Sequence, residues 1–255
     1  MLFDNTINNE WLKAIKWVMD YGSITKPRGK KIREIVGLQT KVDMADPILS
    51  IPERALGYKF MAAEAAWILS GDNRVSTIAP FSKAISQFSD DGITYHGAYG
   101  PKIRDQLHYV ADNLSKDPDS RQAVINIWRE NPRNSRDIPC TLSVQFLIRN
   151  EKLHVIDTMR SSDLWLGWPY DIFNFSMLAR YLILYADLDV GLGTIYLNAG
   201  SAHIYKPQWE ACDDITELYP NGIKHERSSL QFKHKNCDAF VDALWEAAHD
   251  ETFAP

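Results

Sequence analysis

Cysteine is scarce in this 255-residue sequence: only Cys140, Cys212 and Cys237 are present. They form no Cys-x-x-Cys pair. The expectation is therefore free thiols in a reducing compartment and no metal site. No stretch approaches the roughly 18 uninterrupted apolar residues that a membrane span needs. The opening MLFDNTINNEW has no basic segment followed by an apolar run, which argues against a secretory signal and for a cytoplasmic protein. The length fits one large domain, or at most two small ones, and repeats, low-complexity tracts and linker-like segments are missing too, so a single domain over 1–255 is expected. Positive charge is also in short supply. A net charge of −5 is the wrong sign for coating nucleic acid by bulk electrostatics, so no stable nucleic-acid binding is expected. A small anionic ligand is still allowed, because a phosphate site needs only a few local arginines.

What is present is a mixture of helical and strand patterns. Trp11, Ile15, Val18 and Met19 share one helical face, which predicts a helix from about Asn9 to Asp20 that Gly22 stops. A β-branched segment follows over Lys31–Asp43, then a helix from about Pro52 to Leu69 whose AAEAAWIL core carries Glu64 among apolar neighbours. A further amphipathic helix is expected over Lys102–Leu114. Gln122–Arg129, Thr141–Arg149 and Lys152–Arg160 read as strands, the last two joined by a tight hairpin at Asn150-Glu151. A long apolar helix over Ile172–Ala186 then leads through Gly191 and Gly193 to a strand ending near Tyr205. The tail holds an expected strand, Ser228–Phe232, and a helix over Asp238–His249. Together these elements imply an α/β (α+β) domain built on one sheet.

Cys140 lies in Asp-Ile-Pro-Cys-Thr, where a loop enters a strand and a thiol can face a cleft; taken alone, an inert buried cysteine is the commoner outcome. Cys212 and Cys237 are read as inert. In Met159-Arg160-Ser161-Ser162-Asp163 through Gly167-Trp168-Pro169-Tyr170-Asp171, a strand ends in arginine and serine, a carboxylate follows, and a turn leads into a helix. Asp171 there reads most simply as that helix's N-cap. Four polar groups around one turn are also how a polar pocket is built. His203 and Tyr205 stand two apart in NAGSAHIY, on one side of an extended segment.

AEAAWILSGD, DPDSRQAV, PCTLSVQFLIR, MRSSDLWLGWPYD and NAGSAHIY resemble, in order and approximate spacing from Lys30 to Gln208, the signature blocks of the thymidylate synthases. The resemblance implies a three-layer α/β fold whose mixed sheet packs back to back in a homodimer. It also implies a pyrimidine nucleoside monophosphate as substrate and 5,10-methylenetetrahydrofolate as cosubstrate, with no metal. Cys140 matches the nucleophile, Glu64 the acid/base acting through ordered water, and Tyr99 the tyrosine that assists at carbon 5. Arg160 and Ser161 match phosphate-binding positions, with Arg160 expected to depress the thiol pKa. Arg121 matches an arginine lent by the neighbouring subunit, and Arg28 falls within one residue of a further phosphate arginine. His203 and Tyr205 match the pair on the sugar 3′-hydroxyl, and Asp163, with Gly167 beside it, the folate-binding stretch.

Four departures refine this expectation. Asp171 stands where thymidylate synthases carry the asparagine that reads uracil. An ionised aspartate only accepts hydrogen bonds, so it suits the 4-amino group of cytosine and sets a repulsive contact against uracil. Thr141 replaces a histidine, Gln122 an arginine, and Phe88-Ser89-Asp90-Asp91-Gly92 a tryptophan-rich stretch, for which Trp165 and Trp168 are possible substitutes. These features resemble the phage deoxycytidylate hydroxymethylases, and imply dCMP as substrate and 5-hydroxymethyl-dCMP as product. The ending Asp250–Pro255 lacks a short aliphatic terminus that would seal out water, which points the same way. Alternatives are a reductive dCMP methylase, a CMP-specific enzyme, a thymidylate synthase using dUMP, and an inactive relative that binds nucleotide or messenger RNA.

Overall fold

The computed structural model describes residues 6–129, 134–223 and 234–252. Its elements run α1 (Ile7–Tyr21), β1 (Ser23–Thr25), β2 (Ile32–Asp43), α2 (Tyr58–Leu69), α3 (Val75–Ile78), α4 (Tyr99–Lys116), β3 (Val124–Asn126), β4 (Thr141–Arg149), β5 (Lys152–Met159), β6 (Ser162–Asp163), α5 (Trp168–Tyr185), β7 (Gly191–Tyr205), α6 (Trp209–Leu218) and α7 (Cys237–His249). The strands form one mixed seven-stranded sheet in the order β1-β2-β7-β5-β4-β3, with β6 pairing to β7. β5 and β6 run parallel to β7; the other pairs are antiparallel. The Asn150-Glu151 turn joins β4 to β5 with both residues at positive φ, as the hairpin reading requires.

Alternation in the strands gives the sheet two unlike faces. Val144, Phe146, Leu153, Val155, Met159, Ile195 and Leu197 are buried on the side where α1 and α5 pack, with α2 against α5 and α7 against α2. On the other side Gln39, Gln145, Ile156, Tyr196 and Asn198 form register neighbours, and none of them is buried. No described helix covers that face.

Several boundaries differ from the sequence reading. The helix expected from Pro52 begins at Tyr58, because a short 3-10 turn over Pro52–Arg54 ends at Ala55 in the left-handed region (φ 47°). Only Val124–Asn126 of Gln122–Arg129 forms strand, since the Ile127 and Trp128 amides both converge on the Leu142 carbonyl and break the ladder. Gly191 and Gly193 lie inside β7 rather than before it. α6 was not anticipated. The strand expected at Ser228–Phe232 lies outside the described residues.

Candidate active site

The site gathers where the sheet's covered face meets the first turn of α5. β4 starts at Thr141, immediately after Cys140, and the hairpin brings β5 back so that the Arg160 amide donates to the Cys140 carbonyl at 2.8 Å. Arg160 then curls over the loop that carries the thiol. Its Nε donates to the Pro139 carbonyl (2.9 Å), one terminal nitrogen to the Ile138 carbonyl (3.0 Å) and the other to Ser161 Oγ (3.0 Å). Ser161 Oγ in turn lies 3.8 Å from Cys140 Sγ. A guanidinium has five N–H donors, so these three bonds fix Arg160 and still leave donors for an anion.

Arg160 does not leave the thiol acidic. Burial pushes Cys140 upward, Arg160 pulls against it, and Asp171 adds to the rise. The expected depression is outweighed by desolvation, so the thiol is the resting form. Cys212 is wholly buried and pushed to about 12 by burial, which suits an inert core residue.

α5 carries a second set of groups. Its N-cap is Gly167, and the Asp171 amide donates to the Gly167 carbonyl at 3.0 Å. Asp171 is therefore in the first helical turn and is not the cap. Asp171, Asn174 and Phe175 follow the i, i+3, i+4 spacing of one helix face. Asn174 Nδ2 donates to Glu64 Oε2 of α2 at 2.8 Å, and Phe175 stacks on Tyr99 at 6.0 Å between centroids. Tyr99 opens α4, and its hydroxyl accepts the Thr141 amide at 3.2 Å. Burial holds that hydroxyl far above its usual range, with Cys140 and Asp171 adding, so it stays protonated. α4 can approach so closely because the next residue is Gly100; a Cβ there would fall 2.8 Å from the Asp72 carbonyl oxygen.

Acids dominate the floor of the site. Burial lifts Glu64 to about 7, and the Asn174 bond opposes the rise. Burial, then Glu64 and Asp163, push Asp171 well above the carboxylate range. Asp157 in β5 is fully buried and neither of its oxygens has a formed hydrogen bond; the hydroxyl of Thr141, equally buried, is near but also unbonded. Burial and Asp171 hold Asp157 protonated. Glu64 and Asp171 differ from it in being half-buried.

Asp163 lies between this floor and β7. Its Oδ1 accepts the Trp165 and Leu166 amides at 2.9 and 3.0 Å, while Oδ2 is buried without a partner. β6 sets Asp163 in register with His203, whose ring meets Tyr205 edge-on at 5.2 Å. Arg54 donates to the Trp165 carbonyl at 2.6 Å and lies over the Trp165 ring. Trp168 cannot line the cleft as expected: it is wholly buried, with its indole N–H on Thr40 Oγ1 at 2.9 Å.

Cys140, Tyr99, Glu64, Asp171, Arg160, Ser161, Asp163, Gly167 and His203 with Tyr205 thus form one connected set. Two arginines stand apart. Arg28 is exposed, at φ 52° in the turn between β1 and β2; the neighbouring Lys30 sits 5.8 Å from the Tyr205 ring centroid. Arg121 is exposed before β3, where its carbonyl accepts from Gln145 on the uncovered face of the sheet. Sequence reading missed Asp157 and Asn174. A cavity of about 370 Å³ lies elsewhere, lined by Leu69, Arg104, Tyr181 and Asp238 among others, and holds none of these residues. No group of metal-ligating side chains occurs among the described residues, and no described helix is long and apolar enough to cross a membrane.

The family model described as thymidylate synthase matches residues 9–243. The chain belongs to the thymidylate synthase family. A deoxyuridylate hydroxymethyltransferase of Bacillus phage SP01 is 30% identical over 245 residues, covering 86% of this chain and 63% of that protein. A protein of the same description from Pseudomonas phage M6 is 32% identical over 158 residues, 58% of this chain and 45% of its own length. A putative thymidylate synthase of Methanosarcina barkeri is 29% identical over 219 residues, 83% of this chain and 92% of its own. The chain thus spans less than two thirds of the two phage relatives. Both phage relatives are named for deoxyuridylate, so the choice between dCMP and dUMP is left unsettled.

Proposed function

We propose that this chain transfers a one-carbon unit from 5,10-methylenetetrahydrofolate to carbon 5 of a pyrimidine deoxynucleoside monophosphate, with dCMP the better-read base and a hydroxymethyl group the product. The observation that carries this reading is Asp171, half-buried in the first turn of α5 and near enough to Glu64 and Cys140 to interact with both electrostatically. Cys140 as thiolate adds to carbon 6: the S–C bond forms, and the ring's electron pair moves to carbon 5, which becomes nucleophilic. Glu64, near neutrality at about 7, accepts and returns protons. Arg160 and Ser161 hold phosphate, His203 and Tyr205 the sugar, and Tyr99 keeps a donor at the ring.

The mismatch of aspartate with uracil rests on an ionised Asp171, and its burial removes that premise. A neutral carboxyl offers one donor and one acceptor. It can pair with N3 and the 4-amino group of cytosine or, turned over, with O4 and N3–H of uracil. Cytosine retains an acceptor for its amino group when Asp171 ionises, and uracil loses its donor. That asymmetry favours dCMP. The neutral state and the names of the phage relatives support dUMP as a second reading.

The folate supplies the one-carbon unit. The orphaned Asp163 Oδ2 fits a hydrogen-bond donor on a pterin, with the Trp165–Arg54 pair beside it. The uncovered sheet face, with Arg121 at its margin, supports a back-to-back homodimer in which that arginine is lent across. Incubation with methylenetetrahydrofolate and dCMP, CMP or dUMP, followed by nucleotide mass, tests the reading. A gain of one CH2O on dCMP is expected. A gain of CH2 with equimolar dihydrofolate would instead identify a methylase, and dUMP as the only substrate would overturn the base preference.

A further inference from the structure

We infer that Asn174 is a positioning residue for Glu64: its side-chain amide fixes which carboxyl oxygen faces the cleft and holds Glu64 ready to take up and return a proton. This rests on the reading of Glu64 as the acid/base. Asn174 is itself 5% exposed, and its Nδ2 lies 2.8 Å from Glu64 Oε2. Its own Oδ1 is buried without a partner, so the bond to Glu64 is the side chain's one formed hydrogen bond. α5 places Asn174 three residues after Asp171 and directly before Phe175, which stacks on Tyr99. One helical turn therefore aligns the base-reading acid, the amide and the tyrosine's support.

An amide suits this task for a chemical reason. It donates N–H to an ionised carboxylate and, turned over, accepts O–H from the protonated acid with its oxygen. Asn174 can thus follow the proton without moving its backbone. A lysine would pin Glu64 as an anion, and an apolar residue would leave a buried carboxyl unbonded, at the cost of an unmade hydrogen bond.

Around Glu64, α5 supplies Asp171 and Asn174. Of α7, Asp238 and Asp242 lie by Leu69 and Ser70 at the far end of α2, and Asp250 interacts with Lys59 near its start. Burial raises Glu64, and the Asn174 bond opposes that rise. Removing the donor should therefore raise Glu64 further.

The test is titration of the Glu64 carboxyl by carbon-13 NMR in labelled full-length chain, with the signal assigned by its loss in Glu64→Gln. Asn174→Ala should move the midpoint up by about one pH unit, the size expected for one hydrogen bond to a charged group. Asn174→Asp, equal in shape but adding an acid, should move it at least as far, and Asn174→Ser should restore part of the wild-type value. The limb of the pH–rate profile that follows Glu64 should shift with it. Unchanged midpoints in Asn174→Ala and Asn174→Asp would overturn the inference. Should no pyrimidine nucleotide react, the functional reading fails, and the titration still decides the role of Asn174.

Discussion

The ratio of kcat/KM for dCMP to that for dUMP should rise with pH. Asp171 is held above the ordinary carboxylate range by burial, then by Glu64 and Asp163; Asp157 of β5 and Cys140 of the β4 entry also interact with it. Below its raised pKa it donates to O4 of uracil; above it, a carboxylate faces a carbonyl. An unpaired buried polar contact costs about 1–3 kcal/mol, or roughly 5- to 150-fold in efficiency. Asp171 is half-buried, so screening by water places the expected loss toward the lower end. The ratio cancels the titrations of Glu64 and Cys140, which act on both nucleotides alike. Tritium release from carbon 5, followed for each nucleotide across pH, gives the quantity directly. Asp171→Asn should flatten the ratio and turn it toward dUMP. A wild-type ratio that stays flat while both efficiencies change would refute a titrating, base-reading Asp171.

Two further outcomes follow from the same groups. Glu64, Asp157 and Asp171 hold protons in the folded chain that the unfolded chain releases above its ordinary carboxylate range near pH ~4. Their raised folded-state pKa values therefore favour folding least at high pH, and thermal stability should fall as pH rises through about 7, where Glu64 ionises. Asp157→Asn should lessen that fall, and a melting temperature that climbs with pH in wild type would contradict it. Cys140→Ser should lose turnover by orders of magnitude while nucleotide binding, followed by calorimetry, persists, since no adjacent base activates a serine.

Much of the site was legible because its blocks are short segments whose residues stay together: Cys140-Thr141 at a strand mouth, Arg160-Ser161 at a strand end, His203 and Tyr205 across one residue. The boundaries were less so. Ala55 gives no sign in sequence of its positive φ, so Pro52 looked like a helix start. α6 carries its apolar residues at Trp209, Cys212, Ile215 and Leu218 among four acids, a stripe too thin to stand out. Asp157 had a visible signal, an acid at an inward position of the alternation Leu153, Val155, Asp157, Met159. Asn174 had one as well, a polar residue inside Ile172–Leu178, three after Asp171. The pKa of Cys140 could not be foreseen, because it depends on how deeply the loop is covered and not on the neighbouring arginine alone.

The central claim is that Cys140 bonds covalently to a pyrimidine ring. A 5-fluoro-pyrimidine deoxynucleotide carries fluorine where a proton must leave, and fluorine cannot depart as a cation, so an adduct formed with it persists. Intact-protein mass after incubation with 5-fluoro-dCMP or 5-fluoro-dUMP and methylenetetrahydrofolate should increase by the nucleotide plus the folate, and peptide mapping should place the increment on Cys140. An unchanged mass with both nucleotides, or an increment on Cys212 or Cys237, would contradict it.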